Sequence, residues 1–357
     1  MTKKRIEALR GKLFEKSLDA YLVTSYENYR YFSGFSGSNC TLIITKAEAF
    51  AITDGRYTVQ IKTQTRGFDI TIAERTMAEH IAEILKKTGA HSVGYETHKI
   101  TDFSLRTIKE NSPFCEFVPC PDFGEEIRMV KDESEIASIK AAADIADRAF
   151  EKLSKSLSRG MTEREAAAYL DYQMLLGKSE GAAFDTIAAS GLRGSMPHAQ
   201  ATNEEISENC LMTFDFGATV SGYKSDITRT VHIGNPGKEL LSLFDAVLNV
   251  QQKCVRKVAT GISAKELDLF ARELFAKDGL DKYFTHSLGH GVGLAVHEAP
   301  TLSRRSDTVL SEGMVITIEP GLYVEGLGGV RIEDSVVVTS GGCDVLTRSP
   351  HRINISL

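Results

Sequence analysis

Two aspartates, Asp215 and Asp226, lie in the stretch TFDFGATVSGYKSDITRT at residues 213–230. The runs on either side, LMTFDFGA and DITRTVHI, are rich in β-branched and aromatic residues and read as strands. A turn near Val220–Ser221 folds these strands antiparallel and sets Asp215 opposite Asp226. Directly opposed side chains have Cβ atoms roughly 4.5–5.5 Å apart, where like charges repel. Such a pair needs a shared proton or a cation. The stretch VITIEPGLYVEGLGGVRIEDSVVV repeats the logic, because a turn centred near Gly326 puts Glu319 opposite Glu333. Either hairpin alone is equally compatible with carboxylates facing solvent. Asp215, however, sits between Phe214 and Phe216, and Glu319 follows the apolar run MVITI. Those contexts imply burial, and buried carboxylates are rare unless paired or metal-bound.

A nitrogen ligand is available in HSLGHGVGLAVHE, which carries His286, His290 and His297. Glycines at 289, 291 and 293 rule out a stable helix there and permit close backbone approach to a ligand. A lone histidine is usually surface or core filler; three in one glycine-rich loop between apolar segments favour a site. Four carboxylates and one imidazole suit two divalent cations better than one. Oxygen-rich ligation favours manganese, with cobalt, iron or zinc as alternatives, over the thiolate-rich sites of zinc and copper. A pair of such ions about 3.5–4 Å apart suits hydrolysis of a carbonyl compound. Other chemistries lack their signatures. Gly291-Val-Gly293 neither follows a clear strand nor opens a helix, so it is no dinucleotide fingerprint, and there is no Gly-x-Ser-x-Gly, His-Glu-x-x-His or phosphate-binding loop.

The elements that must hold this constellation are readable in outline. A chain of 357 residues is long enough for two domains with buried cores, and 42% hydrophobic with 25% charged residues is ordinary for a globular protein. A net charge of −6 offers no footprint for nucleic acid or an anionic membrane. No apolar run is long enough to span a bilayer. The charged N-terminus, MTKKRIEALRGKLFEKSLDAYL, does not resemble a signal peptide, and the six scattered cysteines form no framework. These features predict reduced thiols and a cytoplasmic location.

Residues 1–126 alternate strand-like and helical runs, which predicts an α/β domain. Strands are expected at 20–25, 40–45, 49–53, 68–72, 91–95 and 114–118, and helices at 1–18, 57–63, 77–86 and 102–111. PCPDFGEE at 119–126 reads as the linker. Residues 127–357 mix helices with mostly hairpin-linked strands and predict an α+β domain on an antiparallel sheet. A long helix is expected from Asp132 towards Ser156, and capping boxes at Thr162/Glu165 and Ser263/Glu266 start two more.

The residues FDFG (214–217), SDITRT (225–230), SLGHGVGLAVHE (287–298), TIEPG (317–321) and RIED (331–334) resemble, in order and spacing, the pita-bread metallopeptidases. That resemblance covers residues 127–357. It implies that Asp215, Asp226, His290, Glu319 and Glu333 are metal ligands, with Asp226 and Glu333 shared by both ions and Glu319 also handling a proton. It further implies that His198 and His297 contact substrate, that Arg331 is an active-site arginine, and that His286 lines a proline pocket. His80, His91, His98, His232 and His351 match no family site. YRYFSGFSGSNCTLIIT and AITDGRY resemble the creatinase-type N-terminal domain of the Xaa-Pro aminopeptidase and dipeptidase branch. Arg56, in the latter stretch, reads as a turn arginine more readily than as a substrate contact. The resemblance implies a homodimeric, manganese- or cobalt-dependent Xaa-Pro aminopeptidase acting on proline-containing peptides. The alternatives are an Xaa-Pro dipeptidase and, with less support, a non-catalytic peptide- or protein-binding module.

Overall fold

The computed structural model describes residues 2–357, which form two compact units divided between Arg128 and Met129. The first unit is built on a six-stranded mixed sheet. Its strands run in the spatial order Asp69–Ala73, Ala49–Asp54, Thr41–Thr45, Ala20–Val23, Ser92–Tyr95, Glu116–Pro119. Thr41–Thr45 pairs antiparallel with both neighbours, and the remaining pairs are parallel. Ala20–Val23 is buried along its whole length, as a four-residue apolar run at a sheet centre must be. The helix Met77–Thr88 starts at a reciprocal Thr76/Glu79 capping box and stops at Gly89 in the left-handed region. Its Ile81 and Leu85 pack with Leu22, Ile43 and Val93 of the sheet.

Two local expectations fail in this unit. The helix Tyr26–Ser33 has no counterpart among the expected elements. The segment expected to be the 119–126 linker instead enters the helix Phe123–Met129. Phe123 stacks on Tyr21 at 5.2 Å, and Gly124 lies against Asn28, so packing overrides the Pro- and Gly-rich composition. Arg56 forms a double hydrogen bond to Asp54, two residues before it, as a turn arginine does.

The second unit pairs helices with sheets twice. The helices Glu133–Ser156 and Glu163–Leu176 share a core with a four-stranded sheet ordered Asn354–Ile355, Ile227–Ile233, Cys210–Phe216, Ile187–Ser190. The helices Lys238–Lys257 and Ala264–Ala276 share another with a five-stranded sheet ordered Glu298–Leu302, Gly289–Gly291, Val315–Ile318, Asp334–Thr339, Gly342–Val345. The Thr162/Glu165 capping box is reciprocal. At Ser263 only half of the expected box forms, because the Glu266 carboxylate pairs with Lys257 instead.

The two hairpins carry the acidic residues, and their registers differ from expectation in one case. Cys210–Phe216 pairs antiparallel with Ile227–Ile233, with Asp215 opposite Thr228 rather than Asp226. The chain continues into a short ribbon, Thr219–Val220 against Tyr223–Lys224. Its turn residues are Ser221 at φ 52° and Gly222 at φ 80°, the two positive angles a type I′ turn demands. Moving the turn by one residue from the expected Val220–Ser221 moves the register by two, so Asp226 stays on the same face as Asp215 but offset along the strand. The other hairpin behaves as read. Ile318 pairs with Asp334 and Gly321 with Arg331, a common register that sets Glu319 against Glu333, with Gly326 at φ 78° in the turn.

Candidate metal and active site

Asp215 is held by alternation. Its neighbours Phe214 and Phe216 are fully buried and pack their rings on Phe150 at 5.8 and 5.1 Å, which directs Asp215 to the opposite face of the strand. Asp226 precedes the strand Ile227–Ile233 and is 4% exposed. His290 is carried by the short strand Gly289–Gly291, which close contacts restrict to glycine on both sides of the histidine. A Cβ on Gly289 would lie 2.0 Å from the Thr317 carbonyl oxygen, and one on Gly291 would lie 2.2 Å from that of Ala299. The His290 N–H donates to Thr317 Oγ1 at 3.0 Å, and that hydroxyl donates to Glu319 Oε1 at 3.1 Å. Glu333 accepts from Thr228 Oγ1 at 2.7 Å, which ties the second hairpin to the first.

Together these residues line one cavity of about 500 Å³. All five expected ligands (Asp215, Asp226, His290, Glu319 and Glu333) face it, and so do His198, His286, His297 and Arg331. Ligand atoms of Asp226, His290 and Glu333 all lie within 4.8 Å of one another. His290 Nε2 is 3.2 Å from Glu319 Oε1 and 3.6 Å from Asp226 Oδ2. His290 Nδ1 sits 3.1 Å from the Gly291 carbonyl, an acceptor that would hold the proton there and leave Nε2 available.

The electrostatics describe a cluster short of positive charge. Burial, joined by repulsion from Glu333, Asp215 and Glu319, pushes the Asp226 carboxyl well above its ordinary range. Burial, joined by Glu319 and Asp215, does the same to Glu333. Burial opposes charge on His290, but the hydrogen bond and charge of Glu319 outweigh it and carry the imidazole up to about 9. Glu319, for which burial acts in the opposite sense, is drawn down to about 2 by His290, His286 and Arg331. Two carboxylate oxygens here, Asp215 Oδ1 and Glu333 Oε1, are buried without a hydrogen-bond partner. Orphaned carboxylate oxygens, acids raised by one another and an imidazole whose Nε2 points among the carboxylates form the kind of donor set a hard or borderline divalent cation takes, so these residues fit metal ions.

Arg331 is more committed than its expected role implied. Its Nη2 donates to Asp215 Oδ2 at 2.7 Å, Nη1 to Tyr323 Oη at 2.8 Å and to the Pro197 carbonyl at 3.0 Å, and Nε to Thr228 Oγ1 at 3.1 Å. His286 is likewise engaged, with Nε2 at 3.0 Å from Tyr323 Oη and Nδ1 at 2.8 Å from the Ser287 carbonyl. Tyr323, Thr228 and Thr317 are the site's supporting residues that sequence reasoning missed. Tyr323 had a visible signal, since it stands opposite Gly329 in a hairpin whose glycine leaves room for a ring. The two threonines had none, because threonine is ordinary in a strand.

Residues 137–340 match the model described as metallopeptidase family M24, and residues 5–130 match the creatinase/prolidase N-terminal domain. A Pyrococcus furiosus protein described as an Xaa-Pro dipeptidase is 37% identical over 353 residues, covering 98% of this chain and 99% of its own. A solved structure described as an Xaa-Pro dipeptidase from Bacillus anthracis has a TM-score of 0.97 and 39% identity, with 100% of both chains covered. Another, described as an X-Pro aminopeptidase from Thermotoga maritima MSB8, has a TM-score of 0.89 and 37% identity over 96% of this chain and 98% of that one. The chain is a member of metallopeptidase family M24, carrying a creatinase/prolidase N-terminal domain ahead of its catalytic unit.

Proposed function

We propose that this metallopeptidase is an Xaa-Pro dipeptidase, hydrolysing the bond before proline in dipeptides. The family resemblance of the sequence alone favours an Xaa-Pro aminopeptidase. The near full-length similarity to proteins described as Xaa-Pro dipeptidases favours the alternative over it. The observation that carries the catalytic reading is the single cavity of about 500 Å³ in which five ligand-type side chains meet three histidines and an arginine.

In this reading Asp215, Asp226, His290, Glu319 and Glu333 hold two divalent cations, manganese first, with cobalt or zinc as alternatives. When bound, those ions supply Lewis acidity and water activation at neutral pH. Glu319 takes up the proton released by the attacking water and passes it to the prolyl nitrogen. That step matters more than usual, since a prolyl amide nitrogen carries no hydrogen of its own and leaves as a base. His198 and His297 line the cavity beside this carboxylate and hold the charge that develops on the amide oxygen. Arg331 and His286 orient the site and its proline-facing wall through Tyr323, as their engaged nitrogens suggest. The reading also retains a homodimer in the cytoplasm, and the free, largely buried thiols fit a reducing compartment.

Initial rates on a Met-Pro dipeptide and a Met-Pro-Ala tripeptide, with manganese present, test this directly. Preference for the dipeptide by tenfold or more is expected, about 1.4 kcal/mol in transition-state terms. Faster cleavage of the tripeptide returns the aminopeptidase reading. No cleavage of either, with no metal bound on analysis, leaves the non-catalytic module.

A further inference from the structure

Glu163 opens the helix Glu163–Leu176, is fully buried, and does not line the cavity. A buried carboxylate is costly unless well partnered, and this one is bonded by five donors from a single stretch of chain. Its Oε1 accepts from the Ser190 N–H at 2.8 Å and from Ser190 Oγ at 3.3 Å. Its Oε2 accepts from Arg193 Nε at 3.0 Å, from the Thr202 N–H at 3.1 Å and from Thr202 Oγ1 at 2.9 Å. Ser190 and Thr202 are the two ends of a segment with no strand or regular α-helix between them, only the short turn Gly191–Ser195. That segment carries Pro197 and His198 into the cavity wall.

The middle of the segment is docked as tightly as its ends. The backbone of Gly194 lies so close to the strand Gly328–Arg331 that a Cβ on Gly329 would sit 2.0 Å from the Gly194 carbonyl oxygen. The Pro197 carbonyl then accepts from Arg331 Nη1 at 3.0 Å. One carboxylate therefore clamps both feet of an Ω-like loop whose crown meets Arg331 and presents His198.

We propose that Glu163 is a positioning residue for the peptidase reaction, its buried carboxylate setting where Pro197 and His198 meet the active-site cavity. The role it assigns to His198 rests on the function proposed above. Glu163 touches neither substrate nor metal ligands and acts only through the loop.

The test is a double-mutant cycle in the full-length, manganese-loaded protein, using Glu163→Gln, His198→Ala and both together, on Met-Pro. Glu163→Gln keeps the shape but replaces one oxygen by a donor that faces donors. Expected is a fall in kcat/KM of about tenfold or more from Glu163→Gln in the native background, and of about twofold or less once His198 is gone, with metal content unchanged. Equal losses in both backgrounds overturn the proposal, since a general loss of structure multiplies through either. If Glu163→Gln does not fold, Thr202→Val removes one donor from the same clamp and should show the same non-additivity on a smaller scale. A second readout needs no activity. With diamagnetic zinc in place of manganese, the His198 imidazole resonances, identified by their loss in His198→Ala, should move in Glu163→Gln, and unmoved resonances also overturn the proposal. A wild-type enzyme inactive on Met-Pro, with His198 resonances that do respond to Glu163→Gln, would refute the dipeptidase reading and leave the positioning role standing.

Discussion

Arg331 Nη2 donates to Asp215 Oδ2 at 2.7 Å, with the arginine side chain 4% exposed, so a buried guanidinium orients one of the proposed metal ligands. The same guanidinium reaches Tyr323, Thr228 and the Pro197 carbonyl, which makes its planar fork rather than its charge the feature in use. Arg331→Lys keeps the charge and loses the fork. Groups that orient a ligand typically change metal affinity or activity by roughly 10–100-fold when removed. Kinetics on an Xaa-Pro dipeptide and manganese titration by calorimetry should show a loss in that range, and values within about twofold of wild type would refute the orienting role.

The acidic cluster predicts an unusual pH dependence for the metal-free chain. Asp226 and Glu333 have carboxyls raised above their ordinary values of 3.8 and 4.5 by burial and by their acidic neighbours. A carboxyl raised in the folded state holds its proton more tightly there than in the unfolded chain. Its contribution to stability is therefore complete below the ordinary value and is lost as pH rises through the raised one. In chelator, the difference in urea stability between Glu333→Gln and wild type should shift in favour of the glutamine as pH rises above about 4.5. Manganese should remove that slope in wild type, because a cation replaces the shared proton. A difference that stays flat with pH would show that Glu333 titrates normally.

Saturating manganese should also stabilise the protein by mass action, by roughly 2.7 kcal/mol at a hundred times the dissociation constant. The rise in Tm should disappear in Asp226→Ala, whose carboxylate has ligand atoms within 4.8 Å of those of His290 and Glu333. A full manganese-dependent rise in Asp226→Ala would sink the assignment of this residue as a ligand.

The sequence marked the site better than it marked the scaffold around it. The nine residues singled out line one cavity; the four carboxylates and the three histidines of the glycine-rich loop were legible from their costly placements, whereas His198 and Arg331 came only from the family resemblance. The register of the first hairpin was off by two because a turn can sit on either of two adjacent residue pairs. Only the requirement for positive φ at both Ser221 and Gly222 decides between them. The helix Phe123–Met129 hid behind linker-like composition, since the stacking of Phe123 on Tyr21 is a contact between residues far apart in sequence. Glu163 was not singled out from the sequence, because an acid in a helix's first turn is ordinary and its five donors come from a loop that begins 27 residues later. Local patterns reveal what a residue is, while the long-range partners that explain it appear only on folding.

Asp334 provides a prediction on the scaffold beneath the site. It follows Glu333 and accepts from Arg229 Nη2 at 2.7 Å, Gln251 Nε2 at 2.7 Å and Thr347 Oγ1 at 2.8 Å, and its Oδ2 is 2.7 Å from His351 Nε2. Arg229 also donates to the Glu333 carbonyl, so the pair fixes the backbone that aims Glu333. Burial works against charge on Asp334, but Arg229 and His351 outweigh it and hold the carboxyl well below its ordinary 3.8. A depressed carboxyl contributes stability above its ordinary value and loses it as pH falls below that value. Removing one partner of a buried ion pair costs about 3–5 kcal/mol, because the other charge stays behind uncompensated. Urea unfolding of Asp334→Ala in chelator should show a loss of that order near pH 7, narrowing as pH drops below about 4. The chelator ensures that the loss is one of fold and not of bound metal. A loss that is the same at both ends of the range would mean that shape rather than charge accounts for Asp334's contribution, and the ion pair with Arg229 would then be incidental to the stability of the strand that carries Glu333.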